Sequence, residues 1–245
     1  MWQKDTSLGG SRNAFPPTTQ GIVSGLRGPD GSIYRASFEE ICRRYWKPVY
    51  AYVRVAWTKD NETAKDLTQA FFLSLAEGDT LKRFDPSRGS LRGYLKVLLR
   101  SFVGHEDRAR AALKRGGGAA VVSLPPDTSG LERLLTGAPS ADAETLFERI
   151  WRTELVGRAL EALRARCRAN GNEVRFRVFE AYDFVPENER PTYKDLSEKF
   201  RLPEGEIKNH LYRMREELRE EIRSELAQGT LSERDLEDEW TRLFG

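Results

Sequence analysis

The chain has 245 residues, 39% of them hydrophobic and 32% charged, with 40 Lys+Arg against 38 Asp+Glu and a formal net charge of +2. Apolar content is below and charge above the usual level, which suits small helical units with much solvated surface rather than one large buried sheet. Two cysteines, Cys42 and Cys167, exclude a disulfide framework, two histidines argue against a multi-His metal site, and no run approaches the ~18 apolar residues of a membrane span. The first residues lack the apolar stretch of a secretory signal, so the expectation is a reduced, cytoplasmic protein.

Residues 1–36 hold six glycines, three prolines and few large apolar residues, and they predict a mostly disordered N-terminal tail. From Ser37, a candidate N-cap, the residues Phe38, Ile41, Cys42, Tyr45, Trp46, Val49 and Tyr50 step by three and four, the apolar stripe of a helix. Pro48 inside the stripe should kink or divide it. A second helix starts at Asp60 or Asn61, carries Ala64, Leu67, Phe71, Phe72 and Leu75, and stops near Gly78. After a loop at 84–90, a third has Leu91, Tyr94, Leu95, Leu98 and Phe102 inward and runs as far as Arg115.

Glycines 116–118, Pro125 and Pro126, Gly137 and Pro139 mark 116–143 as a flexible linker, with a short helical turn at 131–135. Helical pattern returns over 144–225. Thr192 and Asp195 have capping-box spacing, and Arg201-Leu202-Pro203 is a tight connection with Pro203 as the first residue of the next helix. That helix turns Ile207, Leu211, Met214 and Leu218 inward. Residues 216–245 are acidic, with ten carboxylates against four arginines. The extension over 226–245 carries a Ser232/Asp235 cap, a Leu231/Leu236 staple and an apolar stripe of Leu236, Trp240 and Leu243. The fold class is all-α: two small helical domains, at 37–115 and 144–225, joined by the linker.

Two segments carry chemistry. Residues 82–115 hold ten basic side chains against three acidic ones, a net +7 in a near-neutral chain, and Arg92, Lys96, Arg100 and Arg108 share one helical face. A basic stripe opposite an apolar stripe suits a phosphate backbone. Residues 192–215 form a helix-turn-helix pattern whose second helix turns Lys208, Asn209, Tyr212 and Arg213 outward, with His210 nearer the packed side. Asn and Arg side chains make bidentate contacts to base edges. Neither a phosphate loop nor a nucleophile elbow is present, and the adjacent His105, Glu106 and Asp107 point to different faces of a helix, so no catalytic residue, cofactor or metal is expected.

The order of these features resembles a bacterial RNA polymerase sigma factor of the sigma-70 family, extracytoplasmic-function type. Tyr45-Trp46-Lys47-Pro48-Val49-Tyr50 followed by Asp66-Leu67-Thr68-Gln69-Ala70-Phe71-Phe72 is similar to region two. Tyr193-Lys194-Asp195-Leu196 followed by Ile207-Lys208-Asn209-His210-Leu211-Tyr212-Arg213 is similar to region four. The resemblance implies promoter recognition and transcription initiation without covalent chemistry by the chain itself. Asp66, Gln69 and Phe72 would bind the β′ clamp helices of core RNA polymerase, with region four near the β flap. Arg88, Arg92, Tyr94, Lys96, Arg100, Ser101, His105 and Arg108 would hold and open the −10 element, and Lys208, Asn209, Tyr212 and Arg213 would read the −35 element. An anti-sigma factor or another regulator is a further implied partner. The rival readings are a stand-alone helix-turn-helix transcriptional regulator, which binds DNA without polymerase, and a helical adaptor that binds protein without reading DNA.

Overall fold

The computed structural model describes residues 21–27, 31–56, 60–105, 128–136, 142–230 and 232–245, apart from a few side chains. Helices and short turns make up the described residues, and no strand occurs among them. The described residues form ten α-helices: α1 (Ile22–Arg27), α2 (Gly31–Ala56), α3 (Asn61–Glu77), α4 (Leu91–Gly104), α5 (Ser129–Thr136), α6 (Ala143–Ala169), α7 (Glu173–Asp183), α8 (Tyr193–Phe200), α9 (Glu204–Ala227) and α10 (Glu233–Phe244). The described residues are all-α, as expected.

Local chemistry sets most helix ends. The Asp60 carboxylate accepts the Thr63 N–H at 2.9 Å and opens α3, which closes at Gly78. The Ser90 hydroxyl accepts the Gly93 N–H at 3.2 Å and opens α4. Asp142 caps α6 in the same way at 2.9 Å, and Ser232 caps α10. Each cap satisfies an N–H that has no partner inside its helix. The Leu231 half of the expected staple lies outside the described residues.

Three expectations are corrected. The first long helix begins at Gly31, not at Ser37, and passes unbroken through Pro48. Part of the segment expected as a disordered tail is ordered: α1 buries Val23 and Leu26 completely or nearly so. A Cβ on Gly25 would lie 1.9 Å from the Ser37 hydroxyl oxygen, so the bare glycine lets α1 settle on α2. Finally, α4 closes at Gly104, where the His105 N–H turns back to the Phe102 carbonyl, and residues 106–115 of the expected run lie outside the described residues.

The described residues form two apolar cores, and the boundary between them crosses helices. The first core gathers Ile41, Val49, Tyr50 and Val53 of α2, Phe71 and Phe72 of α3, and Leu91, Leu95 and Leu99 of α4. To these it adds Leu146, Phe147, Ile150 and Leu155 of α6, Ile222 and Leu226 of α9, and Leu236 and Leu243 of α10. The second holds Leu163 and Cys167 of α6, Phe176, Val178 and Phe179 of α7, Leu196 of α8, and Ile207, Leu211 and Met214 of α9. Thus α6 and α9 each serve both cores. At 1.5 Å per residue they run ~40 and ~36 Å, long enough to bridge two small helical units. Within the expected linker, α5 docks on the first core: Leu131 and Leu135 are buried, and Glu132 accepts hydrogen bonds from the Tyr50 hydroxyl and from Arg54 at 3.3 Å.

Candidate nucleic-acid interface

The segment from Thr192 to Arg215 forms two helices joined by a tight turn. The Thr192 hydroxyl accepts the Asp195 N–H at 3.1 Å while the Asp195 carboxylate accepts the Thr192 N–H at 2.8 Å, a complete capping box for α8. The Thr192 hydroxyl and N–H hold the Asp195 carboxyl below the ordinary carboxylate range. Arg201 then takes the left-handed conformation, φ 55° and ψ 45°, which ends α8 and turns the chain. The Ser197 hydroxyl donates to the Leu202 carbonyl at 2.6 Å and the Leu202 N–H returns to the Ser197 carbonyl at 3.2 Å, pinning the turn from both sides. Pro203 is the N-cap of α9 rather than its first helical residue: its ψ is 145°, and its carbonyl accepts the N–H groups of Glu206 and Ile207 at 2.9 and 3.1 Å.

Burial of Ile207, Leu211 and Met214 orients α9. The opposite side presents Lys208, Asn209, Tyr212 and Arg213 to solvent, with the large Tyr212 ring 66% exposed. The Lys208 ammonium sits 5.2 Å over the Tyr193 ring, which links the start of α8 to the exposed face of α9. His210 is half-buried, its Nδ1 has no partner among the described residues, and burial together with Arg175 lowers its pKa. Among the described residues, Lys194, Arg201, Lys208 and Arg213 have no carboxylate within salt-bridge distance. Lys194 and Arg201 were not singled out from the sequence, because helical angles alone do not show which cations lack an acidic neighbour.

The basic helix α4 is arranged differently. Arg92 is 3% exposed: its Nε and Nη2 donate to Glu239 of α10 at 3.0 and 2.6 Å, its Nη1 donates to Glu148 of α6, and its guanidinium lies 4.8 Å over the Trp151 ring. Lys96 pairs with Glu148 at 2.6 Å, and Arg100 pairs with Glu144. The three cations do share one face, as their spacing predicts. That face meets α6 and α10: Arg92 is buried and Lys96 half-buried against them, while Arg100 pairs with Glu144 at the exposed rim. Tyr94 is half-buried, donates its hydroxyl to the Thr80 carbonyl at 2.8 Å and packs 5.3 Å from Phe84, so it anchors the 81–90 loop. Arg88, Ser101 and His105 are exposed, and Arg108 lies outside the described residues.

On α3, Asp66 is exposed and Gln69 half-buried, whereas Phe72 has 0% exposure and packs edge-on against Phe71. The expected three-residue surface is therefore corrected to two, with Phe72 part of the core beneath it.

The described residues contain no cluster of three metal-ligating side chains, and none of their helices is long and apolar enough to cross a membrane. No protein family, no curated protein and no solved structure matches the chain.

Proposed function

We propose that the chain is a sigma factor, which binds core RNA polymerase and directs it to promoters. One observation carries this reading: a helix-turn-helix whose second helix offers Asn209, Tyr212 and Arg213 to solvent beside cations that no described carboxylate neutralises. Unpaired cations release counterions on meeting phosphate, and Asn and Arg reach base edges in a major groove. Residues around α2–α4 form the second unit, which takes polymerase through Asp66 and Gln69 and the −10 element through the 84–90 loop and α4. Weak binding of each unit becomes strong when polymerase tethers both at correctly spaced elements, because the second contact is then intramolecular.

The test is run-off transcription by bacterial core polymerase on a library of promoter fragments, with and without the protein. The expected result is discrete new start sites, lost with Asp66→Ala and with Arg213→Ala. No stimulation, with specific duplex binding retained in the absence of polymerase, would replace this reading by a stand-alone helix-turn-helix regulator. Stimulation untouched by Asn209→Ala and Arg213→Ala would leave a polymerase-binding adaptor.

A further inference from the structure

The basic face of α4 meets a matching set of carboxylates. Arg92, Lys96 and Arg100 stand on successive turns, and Glu239, Glu148 and Glu144 stand opposite them, so three cations face three anions. The carboxylates come from two elements distant in sequence, the start of α6 and the acidic helix α10. Leu236 and Leu243 hold α10 in place by burial in the first core. Glu239, only 4% exposed, is the innermost of the three. A phosphate backbone requires the same guanidinium and ammonium groups, so α4 cannot serve both sets of anions at once.

We propose that α10 and the start of α6 form an intramolecular clamp that mimics nucleic-acid phosphates and holds α4 closed in the free protein. The proposal rests on the nucleic-acid reading of α4 given above. Nucleic acid binds α4 only in molecules whose clamp has opened, so apparent affinity falls by the open fraction. Any partner that draws α6 or α10 away from α4 raises that affinity without touching α4 itself.

The test uses the full chain and a short fluorescein-labelled DNA duplex with a single-stranded fork, read by anisotropy at several salt concentrations. Glu239→Gln combined with Glu148→Gln should tighten binding about tenfold by raising the open fraction, and adding Arg92→Gln and Lys96→Gln should abolish the gain. Glu161→Gln combined with Glu220→Gln, exposed carboxylates on α6 and α9, makes the same change of net charge and should give little change. If the double variant melts early, Glu144→Gln, which frees only Arg100 at the rim, should give a smaller gain in a folded protein.

Spin labels at Val97→Cys and Asp238→Cys, both exposed, read the clamp directly, since the two native cysteines are buried. A short, narrow distance in the free chain should lengthen or broaden when the forked duplex binds. An unchanged distance at saturating DNA, or acidic variants that leave affinity where it was, overturns the clamp. If Arg213→Ala still weakens DNA binding in that case, the nucleic-acid reading survives the loss of the clamp. If no variant of α4 or α9 affects binding, both fall together.

Discussion

Replacing Arg92 by Met probes how the buried charges are balanced. Arg92 and Glu239 have side chains 3% and 5% exposed, and two guanidinium nitrogens converge on one carboxylate oxygen at 3.0 and 2.6 Å. Without Arg92, Glu239 keeps only Arg242, whose own side chain is 59% exposed and therefore screened by water. Removing one partner of a buried pair costs about 3–5 kcal/mol. Glu148 is partly exposed, keeps Lys96 and relaxes toward solvent, so the lower end, about 3 kcal/mol, applies to the pair. Loss of the cation–π contact with Trp151 adds about 1 kcal/mol. Glu239→Met leaves Arg92 with Glu148 and should cost about 2 kcal/mol. The double variant removes both charges and refills the space with apolar atoms. It should cost about 3 kcal/mol instead of the additive ~6, a coupling of about 3 kcal/mol. Urea unfolding followed by tryptophan fluorescence reads this, with Trp151 beneath the pair as a local reporter. Additivity within about 0.5 kcal/mol would refute the reasoning, because it would mean that neither charge depends on the other for its burial.

Other expected outcomes follow from single sites. Arg201→Gly relieves left-handed strain of about 1–2 kcal/mol while adding about 0.5–1 kcal/mol of unfolded-chain entropy, so a net gain of about 0.5 kcal/mol should raise the melting temperature; a fall would contradict the assigned turn. Burial pushes the Cys42 thiol up to about 12 and raises the Cys167 thiol, so a disulfide reagent near about pH 8 should titrate neither until the protein is denatured. His210 has a lowered pKa, so its proton favours the unfolded chain: its contribution to stability is present above about pH 6.5 and is lost as pH falls through its folded pKa. The urea midpoint of His210→Gln should vary less over that window than that of the parent or of the exposed His105→Gln, and equal slopes in all three would exclude His210 as the source. Asn209→Ala and Arg213→Ala should each weaken specific duplex binding by about 1–3 kcal/mol and leave the melting temperature unchanged, since both side chains are exposed; a drop in melting temperature would mark them as structural.

What the sequence discloses is what depends on near neighbours. The α3 boundaries at Asp60 and Gly78 and the capping box of α8 follow from side chains within three residues of the ends they satisfy. The outward set on α9 follows from the 100° step per residue once Ile207, Leu211 and Met214 are taken as inward. The same arithmetic explains the misplaced Phe72. Each step of three residues falls 60° short of a full turn, so two steps from Asp66 carry the side chain 120° round and into the core. The early start of α2 was not legible because it depends on α1 folding back across Gly25. Nor was the burial of Arg92, since periodicity places the three cations on one face and does not say what stands opposite. Their carboxylate partners lie between 44 and 147 residues away in sequence.

The division of the cores was hidden for a related reason, and it bears on mechanism. The apolar steps of α9, from Ile207 through Met214 and Leu218 to Ile222 and Leu226, keep one helical period across the boundary between the two cores. Nothing in that pattern marks a change of neighbour, and Leu218 packs against both sides. With α6 continuous as well, the helix-turn-helix sits on the distal halves of two long helices whose proximal halves belong to the first core. Its orientation relative to α4 is therefore set by packed helices and not by a flexible tether. On the proposed function, engaging two promoter elements at once requires either that this fixed geometry already fits them or that the proximal halves of α6 and α9 leave the first core. The second course exposes Leu146, Phe147, Ile150, Leu155, Ile222 and Leu226, each worth about 1.5–3 kcal/mol of apolar burial. Freeing the α4 cations needs the Glu144 and Glu148 side chains to swing away while α6 stays packed, and α10 to lift with exposure of Leu236 and Leu243 alone among the core residues named. Opening of the clamp around an otherwise intact first core is accordingly the smaller rearrangement, and α10 is the element whose removal should change DNA binding while leaving α6 and α9 packed.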